Sequence, residues 1–389
     1  MNLKNSNLIR SCFIIPAFVI SLIILKSSTA PYVYLGLIWF VITLVLSIMS
    51  KRPSIKPLWF NVSIVIITLT LFEAYLWSKS NEFYIATRVS GDKNTTHDFL
   101  GYAPVKGSKT NESKHYKDEL IYDVTYTIDE KGLRMSPPYD ESNVTGCVLF
   151  FGCSFTFGLG VNDNETLPYQ VGIKSHGRYR VYNFGFRGYG PHQMLSALEH
   201  KLVENVVDCN GSMFAIYQGI PDHIDRSAGL SFHDFYGPRY VLGKNGEVMQ
   251  AGSYNKISQK VRKHLNKSLI YRNITGNRRF IRRDEDLDLF VGIILASKRS
   301  FEKLYPGGEF HAIFWDNKDK NQHERYKSDW LKVLNNLKGR GVRIHHTSEI
   351  LPDYKNNGSK YDLSPHDAHP NALAHQIIAE YIVKYILEK

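Results

Sequence analysis

Long apolar runs are confined to the first eighty residues, and the rest of the chain mixes short apolar stretches with amphipathic ones. The runs cover residues 11–25, 32–49 and 58–77. The second and third are about as long as a helix that crosses the hydrocarbon core of a bilayer. The first is shorter and could be a signal-peptide segment, but two further spans follow it. Residues 1–78 are therefore predicted to form a membrane anchor with three transmembrane helices.

Basic residues around these runs predict how the anchor is oriented. Lys4 and Arg10 precede the first run, and the loop between the second and third runs carries Lys51, Arg52 and Lys56. Loops rich in lysine and arginine remain in the cytoplasm. The long C-terminal part is therefore predicted to be extracytoplasmic, either periplasmic or extracellular. Cleavage of the first run would leave two spans and the same orientation.

Glu73 is an acidic residue within the third apolar run. An ionisable side chain at such a position is either functional within the membrane or close enough to the helix end to reach the headgroups. The second interpretation is favoured here, because the end of the run lies only a few residues further on.

Residues 79–145 are polar and rich in turns. Within them, residues 121–128 alternate between side-chain types and are rich in β-branched residues, which predicts a strand. The following segment, Asp129-Glu130-Lys131-Gly132, is typical of a turn. The region is predicted to be an extracytoplasmic linker that contains a small β element.

From residue 146 the pattern changes to short apolar strands that alternate with amphipathic helices. The predicted strands are residues 147–151, 179–182, 213–217, 309–315 and 342–346, and the predicted helices are 193–203, 287–304, 321–337 and 372–387. This alternation predicts an α/β domain over residues 146–389, with a mostly parallel sheet and helices on both faces. Ligands of such folds bind beyond the carboxyl ends of the strands.

Polar residues with catalytic potential follow the first predicted strand. Gly152-Cys153-Ser154 stands at its carboxyl end, where small residues allow a tight turn. Ser154 is a candidate nucleophile, and its backbone N–H could hold an oxyanion. An N-capping serine would give the same local pattern.

Two further loops support the catalytic interpretation of Ser154. A glycine-rich loop over residues 183–191 follows another predicted strand and could supply a second backbone N–H. Near the C-terminus, Asp367-Ala368-His369 precedes the final helix. His369 is the candidate general base for Ser154, and Asp367 would orient its ring.

These segments together resemble the SGNH hydrolases, also called the GDSL esterase/lipase superfamily. The matching blocks are Gly152-Cys153-Ser154-Phe155-Thr156-Phe157-Gly158, then Gly185, then Asp367 and His369 before Pro370 and Asn371, and Gly132-Leu133-Arg134 resembles a lead-in found in membrane-attached members. The resemblance covers the chain from residue 147 onwards. It implies a three-layer α/β/α, flavodoxin-like domain with a parallel sheet. It also implies ester hydrolysis or acyl transfer through an acyl-serine, with the N–H groups of Ser154 and Gly185 in the oxyanion hole.

The chain departs from the family pattern in three places. Cys153 replaces the aspartate of the first block and is interpreted as a packing residue. Pro221 stands where the third block has an asparagine, and proline offers no side-chain donor. Either His223 or Gln218 takes over this role in the oxyanion hole, or the activity is low. Asp367 lies two residues before His369, whereas many members have three.

Charge and cysteine content limit the remaining function classes. The formal charge is +11, but zinc-finger spacing and RNP-like aromatic motifs are absent from the sequence, so nucleic acid is not a predicted partner. A basic segment over residues 256–283 either contacts anionic lipid or an acidic glycan or is solvated surface, and the last is slightly favoured. The sequence has no CxxC pair, and neither a metal site nor a cofactor is predicted.

Cys147, Cys153 and Cys209 are the cysteines of the C-terminal part. A Cys147–Cys209 disulfide would suit an extracytoplasmic domain. Three unpaired and mostly buried thiols are the slightly favoured alternative.

The sequence therefore predicts a membrane-anchored serine esterase that removes an acyl group, acetyl among the candidates, from a carbohydrate or lipid of the cell envelope. An O-acyltransferase that modifies a polysaccharide would use the same residues, and would require an envelope-modification partner protein. A glycan-binding protein that keeps the fold without catalysis is the third alternative, favoured by Pro221. The predicted partners are the lipid bilayer and the acylated substrate.

Overall fold

A computed structural model describes residues 30–80, 84–231, 236–254, 264–276, 282–316 and 324–388, together with residues 20, 21, 24 and 261. These residues form two compact units. The first contains the N-terminal helices and residues 264–276, and the second contains residues 85–254 and 282–388. The predicted boundary between residues 145 and 146 lies inside the second unit. Most of the first apolar run, residues 11–25, lies outside the described residues.

The strands of the described residues are β1 (Ile85–Ser90), β2 (Thr95–His97), β3 (Gly101–Ala103), β4 (Lys109–Tyr116), β5 (Glu119–Thr127), β6 (Gly146–Phe151), β7 (Tyr179–Asn183), β8 (Ser212–Gly219), β9 (Pro238–Leu242), β10 (Val248–Ser253), β11 (Glu309–Phe314), β12 (Arg343–His346), β13 (Asp362–Ser364) and β14 (Asp367–Pro370). The α-helices are α1 (Pro31–Met49), α2 (Lys56–Lys79), α3 (Ser154–Phe157), α4 (Leu167–Lys174), α5 (Pro191–Glu199), α6 (Asp222–Ser227), α7 (Leu269–Gly276), α8 (Asp284–Leu304), α9 (Glu324–Gly339), α10 (Thr347–Ile350), α11 (Tyr354–Asn357) and α12 (Ala372–Ile382).

The first unit is built on α1 and α2, which correspond to the second and third apolar runs. Their mean hydropathies are 2.3 and 1.6, and by length and composition each is able to cross a membrane. Apart from Pro31, their apolar side chains are exposed or half-buried, as expected for helices whose surroundings are lipid. This agrees with a membrane anchor.

Glu73 connects α2 to a segment almost two hundred positions later. Its carboxylate is buried and accepts hydrogen bonds from the backbone N–H groups of Leu269 and Ile270, at 2.6 and 2.9 Å, and from Oγ of Ser268 at 2.9 Å. Because the first N–H groups of a helix have no partner within the helix, a carboxylate at this end of α7 satisfies them. The expectation that Glu73 reaches the lipid headgroups is therefore wrong.

The second unit contains a sheet of parallel strands in the order β7-β6-β8-β11-β12. Relative to their sequence order this is 2-1-3-4-5, the flavodoxin-like arrangement. Helices α5, α8 and α9 cover one face of the sheet, and α4, α10 and α12 cover the other. The predicted three-layer α/β/α domain is confirmed. The strand order reverses between β6 and β8, and ligand sites of such sheets lie beyond the carboxyl ends at this point.

A small antiparallel sheet, β1-β4-β5, precedes the parallel sheet in the chain. The strand predicted over residues 121–128 is part of β5. Inward-facing Tyr122, Val124 and Tyr126 pack with Phe157, at the end of α3, and with Phe186, in the glycine-rich loop of the α/β domain. The region predicted as a linker is thus packed against the domain from its tyrosine-rich face. We call β1, β4 and β5 the β layer.

Cys147 and Cys209 form a disulfide, with their Cα atoms 6.2 Å apart. Cys147 is on β6 and Cys209 is in the segment that leads into β8, the neighbouring strand. The expectation of unpaired thiols is therefore wrong for these two residues. It holds for Cys153, which is buried and free.

Much of the basic segment, residues 256–283, lies outside the described residues. Of its described members, Arg282 is buried and donates to both carboxylate oxygens of Asp225, at 2.8 and 2.7 Å. Arg282 therefore anchors α6 through its ion pair with Asp225 and is not part of the solvated surface. Arg283 is exposed and bonds to Asp286 in the first turn of α8.

Candidate active site

Ser154 is the first residue of α3, immediately beyond the carboxyl end of β6. The turn between them depends on Gly152, which has a φ of +150°. A Cβ atom at this position would lie 2.2 Å from Oγ1 of Thr156 and 2.8 Å from the carbonyl oxygen of Gln218. Only glycine therefore allows this turn, which directs Ser154 to the edge of the sheet.

The structure brings Ser154, His369 and Asp367 together. Nε2 of His369 lies 2.9 Å from Oγ of Ser154, and Nδ1 of His369 lies 2.6 Å from Oδ1 of Asp367. With Nδ1–H donated to the carboxylate, Nε2 presents its lone pair to the serine hydroxyl. Asp367 and His369 are on β14, and α12 follows with Asn371 capping its N-terminus. The short spacing between Asp367 and His369 therefore still allows this contact.

Asp367 is almost completely buried, and both of its carboxylate oxygens are engaged. Oδ1 also accepts the backbone N–H of His369 at 3.1 Å, and Oδ2 accepts Nζ of Lys114, on β4, at 2.8 Å. Burial would raise the pKa of Asp367, but its hydrogen bonds to His369 and Lys114 and the positive charge of Lys114 outweigh burial and hold this pKa well below its usual range. The carboxylate is therefore ionised at neutral pH.

The predicted oxyanion donors differ in their availability. The N–H of Ser154 makes no hydrogen bond within the described residues. The N–H of Gly185 is already bonded to Oδ1 of Asn183, at 3.0 Å, so this donor is engaged inside its own loop. Gly188 of the same loop has a φ of +77°, and its N–H has no hydrogen-bond acceptor in the described structure. The sequence analysis did not single out Gly188.

Gln218 and His223, the proposed replacements for the missing asparagine, are both buried. Oε1 of Gln218 accepts Oγ1–H of Thr156 at 2.7 Å, and Nδ1 of His223 is paired with the hydroxyl of Tyr217. Burial, together with the positive charge of Arg226, lowers the pKa of His223 well below its usual value, so its ring is neutral. Within the described residues, neither side chain is hydrogen-bonded to Ser154.

Arg134 supports the loop that follows Ser154, although the sequence pointed to it only through the Gly-Leu-Arg lead-in. Its guanidinium is buried and donates to the carbonyl oxygens of Phe157, Gly158 and Val161, at 2.7, 2.6 and 2.8 Å. Nε is paired with Asp163 at 3.0 Å. One side chain thus satisfies three carbonyl groups of the nucleophile loop.

The β layer and the β2–β3 hairpin, which follows β1 in the chain, contact the other two loops of the site. Glu112 of β4 is paired with Arg187, in the glycine-rich loop, at 2.7 Å. The hydroxyl of Tyr102 donates to the carbonyl oxygen of Arg187 at 2.7 Å. Tyr116 of β4 stacks on His366, with ring centroids 3.4 Å apart. Residues outside the α/β domain therefore contact every loop that carries a candidate catalytic group.

A cavity of about 230 Å³ lies next to the glycine-rich loop. Its lining is mostly apolar and includes Gly152, Tyr189 and Met194, while Lys106 and Lys131 are polar members of the lining. Ser154 is not among the lining residues, but Gly152 is only two positions away from it.

No protein-family model and no curated protein sequence matches the chain. Among solved structures it is similar to a lipolytic protein of the G-D-S-L family from Veillonella parvula DSM 2008, with 11% identity and a TM-score of 0.37 over 63% of this chain and 100% of that one. It is also similar to an acetylxylan esterase from Geobacillus stearothermophilus, solved as a catalytic mutant, with 11% identity and a TM-score of 0.36 over 62% and 95%. A GDSL-like lipase from Bacteroides thetaiotaomicron VPI-5482 gives 11% identity and a TM-score of 0.32 over 65% and 92%. All three TM-scores are below 0.5. The fold and the site are therefore assigned from the strands and side chains described above.

Proposed function

We propose that this chain is a membrane-anchored, extracytoplasmic serine esterase of the SGNH type, with Ser154 as nucleophile, His369 as general base and Asp367 as the residue that orients His369. The observation that carries the proposal is the continuous series of contacts from Asp367 through His369 to Ser154, at 2.6 and 2.9 Å. A nucleophile within hydrogen-bond reach of a base that a third group orients is the general signature of covalent catalysis.

The reaction follows from these contacts. Oγ of Ser154 attacks the ester carbonyl carbon while its proton passes to Nε2 of His369. The tetrahedral intermediate collapses when His369 returns this proton to the leaving alcohol, and an acyl-serine remains. A water molecule, deprotonated by His369, then attacks the acyl carbon and releases the carboxylic acid and free Ser154. Asp367 stabilises the imidazolium that forms in each half-reaction.

The oxyanion of each intermediate requires donors at the same edge of the sheet. The N–H of Ser154 is one proposed donor, because it is free of other acceptors in the described structure. Gly185 is the second proposed donor, and its N–H, now bonded to Oδ1 of Asn183, would have to exchange that acceptor for the oxyanion. Because the loss of one such donor costs about 3–4 kcal/mol in a well-studied protease, the absence of an asparagine side chain at position 221 is expected to lower the rate of the reaction.

Two observations support an extracytoplasmic site. The basic residues lie before the first apolar run, Lys4 and Arg10, and between the second and third runs, Lys51, Arg52 and Lys56. Segments rich in lysine and arginine remain in the cytoplasm, and this orientation puts the C-terminal part outside. The Cys147–Cys209 disulfide suits an oxidising compartment and would be unusual in the cytosol. The proposed substrate is an acyl ester, acetyl being one candidate, on a carbohydrate or lipid of the cell envelope.

The test uses the full-length protein in detergent micelles. Wild-type protein and the variants Ser154→Ala, His369→Ala and Ser359→Ala are incubated with a fluorophosphonate probe and with p-nitrophenyl acetate. We expect labelling and turnover in wild type and in Ser359→Ala, which changes an exposed serine, and neither in Ser154→Ala. Labelling that persists in Ser154→Ala would show that the nucleophile is wrong. A folded wild-type protein without labelling would favour a binding protein that keeps the fold.

The same material separates hydrolysis from acyl transfer. Because the acyl-serine can be attacked by a sugar hydroxyl in place of water, release of free acid is compared with transfer to an added oligosaccharide. Transfer that exceeds hydrolysis at equal Ser154-dependent turnover would replace the esterase proposal with an O-acyltransferase.

A further inference from the structure

Lys114 is a basic residue on β4 that lies 253 positions before the carboxylate it contacts. Its Nζ is 2.8 Å from Oδ2 of Asp367, while Oδ1 of the same carboxylate takes Nδ1 of His369. The lysine side chain is 18% exposed and the aspartate side chain 3%. A contact so well shielded from solvent is stronger than a surface ion pair.

We propose that Lys114 is a positioning residue that fixes the orientation of Asp367 and, through it, the orientation of the His369 ring. The inference rests on the proposed function. Oδ1 of Asp367 is held by the backbone N–H of His369, two residues further along the chain. Oδ2 is held by Nζ of Lys114. The β layer would then complete the catalytic site of the neighbouring α/β domain.

The Asp367 carboxylate has His369 at one oxygen and Lys114 at the other, so the charge of Lys114 affects the interaction between Asp367 and His369. A negative charge beside an imidazole favours the imidazolium, and a cation beside that negative charge reduces the effect. Lys114 partly neutralises Asp367 and so makes His369 easier to deprotonate. Wild-type enzyme should therefore keep a neutral, catalytically competent His369 at lower pH than an enzyme without this lysine.

The other charged and titratable groups around the pair do not replace Lys114. Tyr122 of β5 faces Asp367, but its hydroxyl donates to Glu112, at 2.7 Å. Glu112 is paired in turn with Arg187 and Lys93, at 2.7 and 3.2 Å. On the side of His369, the neighbouring groups are Ser154, the ring of Phe155 at 5.2 Å, and His375 of α12. Burial lowers the pKa of His375 to about 3, so it is uncharged near neutral pH.

The experiment is a pH profile of the full-length enzyme in detergent. The profile of kcat/KM for p-nitrophenyl acetate is measured for wild type, Lys114→Met, Lys114→Arg and Lys109→Met. Lys109 is an exposed lysine on the same strand and serves as the matched control. We expect Lys114→Met to move the acidic limb to higher pH by about one unit. Lys114→Arg, which keeps the charge, and Lys109→Met should both follow wild type.

Each outcome has a distinct meaning. Lower activity in Lys114→Met with an unmoved acidic limb would assign Lys114 a structural role only and overturn the inference. If Lys114→Met does not fold, Lys114→Gln, which keeps a donor without the charge, is measured in its place with the same expectation. Absence of Ser154-dependent activity in wild type would overturn the proposed function itself, which is visible before any lysine variant is measured.

Discussion

Glu73 and Leu269 are 196 positions apart in the chain, and the carboxylate of the first accepts the backbone N–H of the second at 2.6 Å. The contact ties α2 to the N-terminus of α7. The carboxylate of Glu73, an acidic residue in a mostly apolar helix, thereby accepts three hydrogen bonds from groups of the protein. The segment over residues 264–276 is therefore part of the unit that contains the two apolar helices.

Replacing Glu73 with alanine should release this segment. The N–H groups of Leu269 and Ile270 lose their acceptor, at a cost of about 1–3 kcal/mol for each buried donor. Limited trypsin digestion of the full-length protein in detergent should then cut after Lys267 and Arg272 faster than in wild type. Glu247→Ala, at an exposed position, is the control and should leave the pattern unchanged. Unaltered digestion of Glu73→Ala would show that the contact is dispensable.

Arg134→Met should be strongly destabilising. Its removal leaves three carbonyl groups of the nucleophile loop without their side-chain donor and removes the ion pair with Asp163. Loss of one partner from a buried ionic network costs about 3–5 kcal/mol. The unfolding temperature, followed by intrinsic fluorescence, should fall clearly below that of wild type. Arg340→Met removes an exposed arginine and should change stability by less than about 0.5 kcal/mol. Equal unfolding temperatures for the two variants would contradict the assigned role of Arg134.

Reduction of the Cys147–Cys209 disulfide should lower stability by a similar amount. The two residues are 62 positions apart, and the loop-entropy estimate for a closed loop of this length is about 4 kcal/mol. Dithiothreitol should therefore lower the unfolding temperature of wild type. The double variant Cys147→Ala/Cys209→Ala should start lower and show no response to the reductant. A wild-type protein that is indifferent to dithiothreitol would contradict this prediction.

Asp367 should make the fold sensitive to acid. Its folded-state pKa lies well below the value of about 3.9 expected in an unfolded chain. Between these two values the unfolded state binds more protons, so stability is complete above about pH 4 and is lost as the pH falls below it. The unfolding temperature of wild type should therefore drop between pH 5 and pH 3 by more than that of Asp367→Asn. Asp353→Asn, at an exposed position, should keep the wild-type dependence, and an identical drop in all three proteins would be evidence against this account.

The sequence predicted the sheet well because each strand carries its signal locally. Residues 147–151 and 213–217 are continuous apolar runs at a length typical of buried strands, and both coincide with strands of the parallel sheet. Ser154 could be proposed for the same reason, because it follows a strand of the parallel sheet at its carboxyl end, and His369 was proposed from the local segment Asp367-Ala368-His369 before the final helix. No knowledge of distant contacts was needed for these predictions.

The predictions that failed depended on distant contacts or on hydrogen bonds that a motif does not encode. Glu73 was assigned to the headgroups because the segment that contains its donors follows almost two hundred residues later. The pairing of Cys147 with Cys209 required the adjacency of β6 and β8. Lys114 alternates with other polar residues on β4, and nothing in that pattern identifies its partner.

The grouping of residues 257–281 with the N-terminal helices has a practical consequence for anyone who wants a water-soluble fragment. The polypeptide passes between the two units three times, near residues 84, 256 and 281. A truncation that begins at residue 85 would retain α7 but lack Glu73, so the backbone N–H of Leu269 would lose its acceptor. The exposed apolar side chains of Leu265 and Ile274 would then face water. Such a fragment should aggregate, whereas one that also replaces residues 257–281 with a short glycine-serine bridge should remain dispersed.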